Sequence, residues 1–295
     1  MELWAIVPEL ILAGLVLVLL PLGSFLPTRW KPATSALALL GLLAAGIVST
    51  RMLGWDAQPV FMDTYAIDPF AVFFKMLAIA ATVVTLLATV SRFHGNPHEG
   101  TVPALLVLTC LGMVGLAASQ DLALIALFIQ LMTVGSYTLV AIAKDERHAT
   151  EGALKLFLFS AASSAVMLYG MALLYGLTGS LRLPEMATEL DAAPVYVVLA
   201  AFGLILVGYG YEPTIVPFHA WAPDTYQGAR TPIAGFLAVG PKAAGLAVIP
   251  RTPVGALPGG HGDWPGVVAL LPGAPPGGPA PRPPPRHNHA QDLQI

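Results

Sequence analysis

Long stretches without any charged side chain constrain this chain more than any other feature. Five of them approach or exceed the roughly 17–25 apolar residues that a helix needs to cross a lipid bilayer. Hydrophobic residues make up 56% of the sequence and charged residues 11%, whereas about 25% of a typical soluble domain is charged. The chain is therefore predicted to be an all-α, polytopic membrane protein. The uncharged stretches are residues 32–50, 100–120, 122–143, 156–181 and 192–211.

Eight membrane spans are predicted, joined by short connections into one transmembrane helix bundle over residues 1–250. The opening segment lacks a basic start and a small-residue cleavage site, so we interpret it as a first membrane helix rather than a removed signal peptide. The seventh span is expected to be broken by prolines. The predicted spans are residues 3–26, 33–51, 69–91, 102–119, 121–143, 153–178, 194–218 and 232–250.

Positive charges between the spans predict the orientation of the bundle, because Lys and Arg collect in cytoplasmic loops. The odd-numbered connections carry most of them, whereas the second and sixth connections are mainly acidic. The N-terminus is therefore predicted to lie outside. The net charge of −3 gives no reason to expect a nucleic-acid partner. The basic residues of the odd connections are Arg29, Lys31, Arg92, Lys144, Arg147 and Arg230.

The segment 251–295 differs sharply from the rest of the chain. Prolines recur every few residues, as in GAPPGGPAPRPPP, and each costs about 3 kcal/mol in a helix interior. The segment is predicted to be extended or disordered rather than a further span. Residues 264–271 (WPGVVALL) resemble the start of a span that then fails. A shifted reading frame in a GC-rich gene would produce such a tail, so we expect a truncated or frameshifted copy.

Ionisable residues and prolines meet around the end of the seventh span. Glu212 lies in an apolar context, where a carboxylate costs about 2.5–3.5 kcal/mol, and it is either functional or simply interfacial. Pro213 and Pro217 remove backbone donors, which is typical of broken helices that line a cavity, although a packing kink gives the same pattern. His219 follows directly, and its side chain titrates closest to neutral pH. Together these residues indicate a proton path.

Two lysines extend this hypothesis. Lys242 lies near the middle of the eighth span, too deep to reach either surface easily. A buried lysine exchanges protons readily, so a role in proton transfer is favoured over a permanent structural ion pair, for which Glu212 would be the partner. Lys155, near the start of the sixth span, can reach the surface or the bundle interior.

A polar stripe follows one face of the fifth span, formed by Gln130, Thr133 and Tyr137, with Ser136 beside it. Such a stripe most often joins helices by hydrogen bonds, and it can also hold a water wire. The sequence contains no recognisable nucleotide cradle, metal-ligand spacing, catalytic triad or redox-cofactor motif, so no cofactor or metal is expected on this chain. Transport is favoured over bond chemistry.

Three segments together resemble a known family. They are VPFHAWAPDTYQGARTPIAGFLAVGPKAA, EGALKLFLFSAASSAVMLYGMALLYGLTGS and SQDLALIALFIQLMTVGSYTLVA. They are similar to subunit N of the proton-pumping NADH–quinone oxidoreductase (respiratory complex I), over roughly residues 60–250. Antiporter subunits and membrane-bound hydrogenase subunits share a looser form of the pattern.

The resemblance implies an antiporter-like subunit of a membrane arm in an inner cell membrane, with about fourteen helices, two of them broken. It implies proton translocation coupled to electron transfer from NADH to quinone, with NADH, flavin, iron–sulfur clusters and quinone on other subunits. Its partners would be the other membrane-arm subunits and the lipid bilayer. Lys242 and Lys155 fall on lysines of the family pattern, and Pro217 and His219 belong to its broken-helix motif.

Departures from the pattern are concentrated at its charges. Gln130 stands where the family has a glutamate, and Glu212 stands where it has a lysine, so the expected charge pair is absent. Arg230 replaces a proline. The leading hypothesis is a proton-translocating subunit of the oxidoreductase. The alternatives are a structural or vestigial subunit that does not pump, and a stand-alone cation/proton antiporter.

Overall fold

Helices dominate the computed structural model, which describes residues 2–55, 58–93, 98–143, 146–190 and 193–256. Within these ranges seven helices are long and apolar enough to cross a membrane, and an eighth apolar helix, α9, is shorter. The predicted all-α membrane bundle is confirmed. The α-helices are α1 (Glu2–Ala5), α2 (Val7–Phe25), α3 (Pro32–Arg51), α4 (Pro69–Phe93), α5 (Thr101–Ala118), α6 (Leu122–Ala141), α7 (Arg147–Thr178), α8 (Leu183–Glu189), α9 (Val195–Tyr211), α10 (Ala222–Gly228) and α11 (Thr231–Ala256).

Two short strands, which the sequence analysis did not anticipate, connect α3 to α4. β1 (Gln58–Val60) and β2 (Tyr65–Ile67) pair antiparallel. Tyr65 bridges to Ser119 at the end of α5, and the Gln120 N–H donates to the Thr64 carbonyl at 2.8 Å. These contacts tie the connections on one side of the bundle together. We call this side the hairpin end.

Local sequence signals explain several helix boundaries. The Asp121 carboxylate accepts hydrogen bonds from the N–H groups of Ala123 and Leu124 at 2.9 and 3.1 Å, which caps the start of α6. α7 ends at Gly179, whose φ of 69° lies in the left-handed region that a glycine adopts without strain. α7 begins at Arg147, six residues before the predicted sixth span, because the amphipathic turns ahead of that span continue the helix.

The core centres on α5, which packs against α2, α3, α4, α6 and α11 and whose side chains are almost all buried. Small residues allow close helix contact: a Cβ added at Gly112 would lie 2.6 Å from the Met132 backbone nitrogen of α6. In the same way, a Cβ at Gly170 of α7 would lie 2.6 Å from the Ala201 carbonyl oxygen of α9. Such small residues are typical of packed membrane helices.

The seventh span is broken, as predicted, but earlier than expected. α9 ends at Tyr211 rather than near residue 218, and turns follow up to the start of α10. Pro213 and Pro217 withhold backbone donors from any continuation of the helix, and Thr214 adopts a φ of 61°. The break therefore begins at Glu212.

The last described helix extends beyond its predicted end. α11 continues through Pro241 and Pro250 to Ala256, because backbone groups freed by proline in a membrane helix are accommodated by neighbouring segments. Residues 257–295 lie outside the described residues. Residues 251–256, predicted to begin the extended or disordered tail, are helical, whereas the rest of that prediction and the apolar segment 264–271 fall outside the described residues and stay predictions.

Candidate functional site

Glu212 lies at the point where α9 ends, with only 5% of its surface exposed. The Thr133 hydroxyl of α6 lies 2.6 Å from Glu212 Oε1 and 2.7 Å from the Ile129 carbonyl oxygen. A hydroxyl has one proton to donate and can also accept. Thr133 can therefore donate to an ionised Glu212, or accept from a protonated Glu212 while donating to Ile129. The pair is compatible with both protonation states.

The break is held in place by α9 and α7. The Tyr211 hydroxyl donates to the Leu156 carbonyl of α7 at 2.7 Å, and Trp221 Nε1 donates to the Tyr211 carbonyl at 3.2 Å. The Tyr211 and Trp221 rings also lie 5.3 Å apart. These buried contacts fix the backbone on either side of Glu212, which gives its carboxylate a defined position.

α11 approaches the break through Gly245. A Cβ added there would lie 2.8 Å from Glu212 Cβ and 2.8 Å from Pro213 Cδ. Lys242 precedes Gly245 by three residues, which places it on the same helix face, about one turn away. Its ammonium lies 5.3 Å from the centre of the Tyr226 ring of α10. Among the described residues Glu212 and Lys242 form no ion pair, so the proposed structural pairing of these two residues is not seen.

Lys155 joins α7 to α10. Its ammonium donates to Asp224 Oδ2 and to Glu151 Oε1, both at 2.7 Å. The three side chains remain between about a third and a half exposed. α10 is further attached to α7 by the Thr225 hydroxyl, which donates to the Gly152 carbonyl at 3.2 Å. Lys155 therefore pairs with carboxylates at the end of the bundle opposite the hairpin end, and not with Glu212.

The side chains of the polar stripe of α6 contact two different partners, α7 and Glu212. Gln130 accepts a hydrogen bond from the Ser164 hydroxyl of α7 at 2.7 Å. The Tyr137 ring packs edge-on against Phe157 of α7, with ring centres 5.5 Å apart. Of the three, Thr133 forms the hydrogen bond to Glu212. The stripe thus joins α6 to α7 at both ends and presents one hydroxyl to the break.

His219 lies in the turns between α9 and α10, and its side chain is exposed. Its carbonyl accepts a hydrogen bond from the Ala222 N–H at 3.1 Å. Within the part of the chain that the structure describes, no hydrogen bond or ion pair of its imidazole is found. Of the sequence-predicted site residues, the structure brings Glu212, Thr133 and Lys242 into one region, whereas Lys155, Gln130 and His219 lie at its edges.

Another pair of intramembrane charges was missed by the sequence analysis. Glu9 of α2 and Lys75 of α4 approach each other to 2.7 Å, and Lys75 is 1% exposed. Near the hairpin end, Arg251 of α11 forms two hydrogen bonds of 2.9 Å to the Asp68 carboxylate. The signal was available, since Glu9 and Lys75 are charges inside predicted apolar spans, as Lys242 is.

Among the described residues no group of three or more His, Cys, Asp or Glu is arranged to hold a metal ion.

Comparison with known proteins agrees with this architecture. The sequence profile described as NADH:quinone oxidoreductase/Mrp antiporter, TM, matches residues 119–271. NADH-quinone oxidoreductase subunit N of Trichlorobacter lovleyi is 34% identical over 271 residues, which cover 90% of this chain and 55% of that protein. The chain therefore spans about half the length of the curated relatives that it matches.

Solved structures show the same likeness. A chain of respiratory complex I from Thermus thermophilus superposes with a TM-score of 0.71 at 32% identity, covering 90% of this chain and 55% of that chain. A chain of the Mrp complex from Dietzia sp. shares the fold, with a TM-score of 0.70 at 21% identity over 86% of this chain and 49% of that chain. The profile match covers more than half of the sequence and includes the broken helix and Lys242. The chain therefore belongs to the NADH:quinone oxidoreductase/Mrp antiporter transmembrane family.

Proposed function

We propose that this chain is a proton-translocating subunit of the membrane arm of an NADH-quinone oxidoreductase. The observation that carries the proposal is the buried Glu212 at a helix break, with the Thr133 hydroxyl 2.6 Å from its carboxylate. Lys242 of α11 lies one helical turn from Gly245, the residue at which α11 contacts Glu212. Buried ionisable groups beside broken membrane helices are typical of ion pathways. The similarity to subunit N supports the choice of complex.

The geometry suggests the roles of the individual residues. Glu212 would accept and release a proton, with Thr133 as its hydrogen-bond partner in both states. Lys242 would be the second exchange group, over the Tyr226 ring. Lys155, with Asp224 and Glu151, would connect the site to the end of the bundle opposite the hairpin end. His219, exposed in the break, would exchange protons with water there.

The surroundings of the chain are part of the proposal. An inner cell membrane, with the N-terminus and the hairpin end outside, fits the distribution of Lys and Arg among the connections. NADH, flavin, iron–sulfur clusters and quinone would be bound by other subunits, and this chain would contact neighbouring membrane-arm subunits. Affinity purification of the tagged chain from native membranes tests this assignment. We expect quinone-reductase subunits to co-purify, and their absence would refute it.

A subunit that packs in the complex without pumping is the second candidate. It is favoured by Gln130, which cannot titrate and is hydrogen-bonded to Ser164, at the position where the family pattern has a glutamate. Lys242→Ala separates the two candidates when NADH-driven proton uptake is measured in vesicles that contain the assembled complex. A pumping subunit loses proton uptake in this variant, and Leu246→Ala serves as control because that side chain is exposed on the same helix. Unchanged uptake in Lys242→Ala would favour the non-pumping role.

A further inference from the structure

The Glu9–Lys75 pair is a second buried ionic site that the path through Glu212 does not use. Lys75 Nζ lies 2.7 Å from Glu9 Oε1, and the two side chains are 1% and 10% exposed. Tyr65 of β2 donates its hydroxyl proton to the same carboxylate oxygen. The Lys75 ammonium lies 4.9 Å from the centre of the Tyr65 ring. Three elements, α2, α4 and β2, thus converge on one pair of opposite charges.

The pair is incompletely satisfied for a purely structural ion pair. Glu9 Oε2 is buried without a hydrogen-bond partner among the described residues, and Lys75 Nζ, which has three protons to donate, has no hydrogen-bond acceptor there beyond its ion-pair contact with Glu9 Oε1. Buried polar groups are normally hydrogen-bonded, and unsatisfied members reduce the stability that a buried ion pair provides. Each unsatisfied group offsets part of the stabilisation of the charged form, which lowers the free-energy cost of the neutral form. Proton transfer between the two partners is then accessible.

The Glu9–Lys75 pair also lies at about the same depth in the bundle as Lys242. Asp68 and Arg251 join the ends of α4 and α11 nearest to the hairpin end. Lys75 follows Asp68 by seven residues and Lys242 precedes Arg251 by nine, which corresponds to about 10 Å and 14 Å along the two helices. α4 and α11 pack against each other. Lys75 and Lys242 therefore lie at comparable depth in neighbouring helices.

We propose that Glu9 and Lys75 form a second proton-exchange site, through which protons pass between the level of Lys242 in the bundle and the hairpin end. This inference rests on the proposed function. The ammonium of Lys75 transfers one proton to Glu9 Oε1, which leaves a neutral amine and a neutral carboxylic acid, and the reverse step restores both charges. Tyr65, hydrogen-bonded to the same oxygen, links the carboxyl group to the hairpin end.

The groups around the pair are compatible with this step. Burial, and then the negative charge of Glu9, raises the pKa of Tyr65 well above its ordinary value, so Tyr65 stays protonated and remains a donor. Asp68 and Arg251 neutralise each other at the hairpin end. Cys110 of α5 is buried and free.

Two variants separate proton exchange from a structural role. Lys75→Arg keeps the positive charge but cannot release its proton, because arginine stays protonated in proteins. Glu9→Gln/Lys75→Met removes both charges together, so that no unpaired charge remains buried. Each variant is compared with wild type and with Lys31→Arg, a lysine-to-arginine change at the start of α3, in vesicles that contain equal amounts of assembled complex. NADH-driven proton uptake is measured over a range of pH.

We expect both variants to assemble and to lower proton uptake by about a hundredfold, the lower end of the effect that positioned proton-transfer groups have. Lys31→Arg is expected to leave uptake unchanged. Normal uptake in either variant would overturn the inference, and so would failure of both to assemble, since that assigns the pair a structural role.

Lys242→Ala, measured in parallel, separates the two proposals. Reduced uptake in Lys242→Ala with normal uptake in the Lys75 variants would refute this inference alone, and normal uptake in all of them would refute both.

Discussion

At the scale of single residues, the site depends on a carboxylate that has a hydrogen bond but no ion pair within the described parts of the chain. Glu212 is buried at the end of α9, and its described polar contact is the Thr133 hydroxyl. A lysine–carboxylate pair whose polar atoms are all hydrogen-bonded, unlike the incompletely satisfied Glu9–Lys75 pair, would hold its proton distribution firmly, because separating buried charges is costly. A carboxylate with one neutral partner changes its protonation state at a smaller free-energy cost. This property suits a group that exchanges protons.

Thr133→Val removes this hydrogen bond while keeping the shape of the side chain. We expect the free energy of unfolding to fall by about 1–3 kcal/mol, because a buried acceptor loses its partner. Thr138→Val is the matched control, since the Thr138 hydroxyl bonds the Val134 carbonyl of its own helix. Thermal unfolding in detergent measures both variants. An equal effect of the two substitutions would show that the Thr133–Glu212 contact contributes nothing particular.

The sequence predicted the ionisable residues better than their partners. The sequence was sufficient to locate the break from Glu212, Pro213 and Pro217, because two prolines within five residues withhold backbone donors on both sides of a short segment. The contacts of Glu212 with Thr133, and of Lys155 with Asp224, join residues 79 and 69 positions apart. Such contacts depend on how helices pack, which a single sequence does not contain. Glu9 and Lys75 were missed for the same reason, although each was visible as an intramembrane charge.

At the scale of elements, the site depends on how closely α11 approaches the break. Gly245 permits this approach because it has no side chain: an added Cβ would lie 2.8 Å from both Glu212 Cβ and Pro213 Cδ. α10, tied to α7 by Thr225 and Asp224, holds the other side of the break. The helices therefore position the site more than the turns between them do.

Gly245→Ala tests this packing directly. The added methyl group must displace α11 or the break, so we expect a loss of about 1–3 kcal/mol in unfolding free energy and reduced proton uptake. Gly235→Ala is the control on the same helix, because nothing lies within 4 Å of a Cβ added there. The control should be neutral or stabilising by up to about 1 kcal/mol. Similar melting temperatures for the two variants would contradict the close approach.

α8 provides a pH-dependent contact at the hairpin end, outside the membrane spans. A hydrogen bond from the Ser180 hydroxyl, aided by the charge of Arg182, lowers the pKa of Glu185 from its ordinary 4.5. A lowered folded-state pKa stabilises the fold above the unfolded-state value, and this stabilisation is lost as the pH falls through the folded-state value. Glu185→Gln should therefore lower the melting temperature slightly at pH 7, and this difference should shrink as the pH falls below 4.5 and through the lowered folded-state value. A difference that persists at low pH would contradict this account.

At the scale of the whole molecule, two groups of ionisable side chains lie within the described part of a largely apolar bundle. One runs from Lys155 and Asp224 to Glu212 and Lys242, and the other contains Glu9 and Lys75. The eight apolar helices were largely predictable from uncharged runs, because crossing a bilayer requires length and hydrophobicity. The break itself was predicted, but the end of α9 at Tyr211 was not, because Ile215, Val216 and Phe218 extend the apolar character of the span beyond the break.

The central claim is that Glu212 carries protons through the broken helix. Glu212→Gln tests it most directly, because glutamine can still accept the Thr133 hydrogen bond but cannot titrate. Proton uptake per NADH oxidised is measured in vesicles that contain the assembled complex, with Glu185→Gln as the exposed control. The account predicts normal assembly, a melting temperature close to wild type and strongly reduced proton uptake in Glu212→Gln, with normal uptake in the control. Normal uptake in a fully assembled Glu212→Gln complex would contradict it.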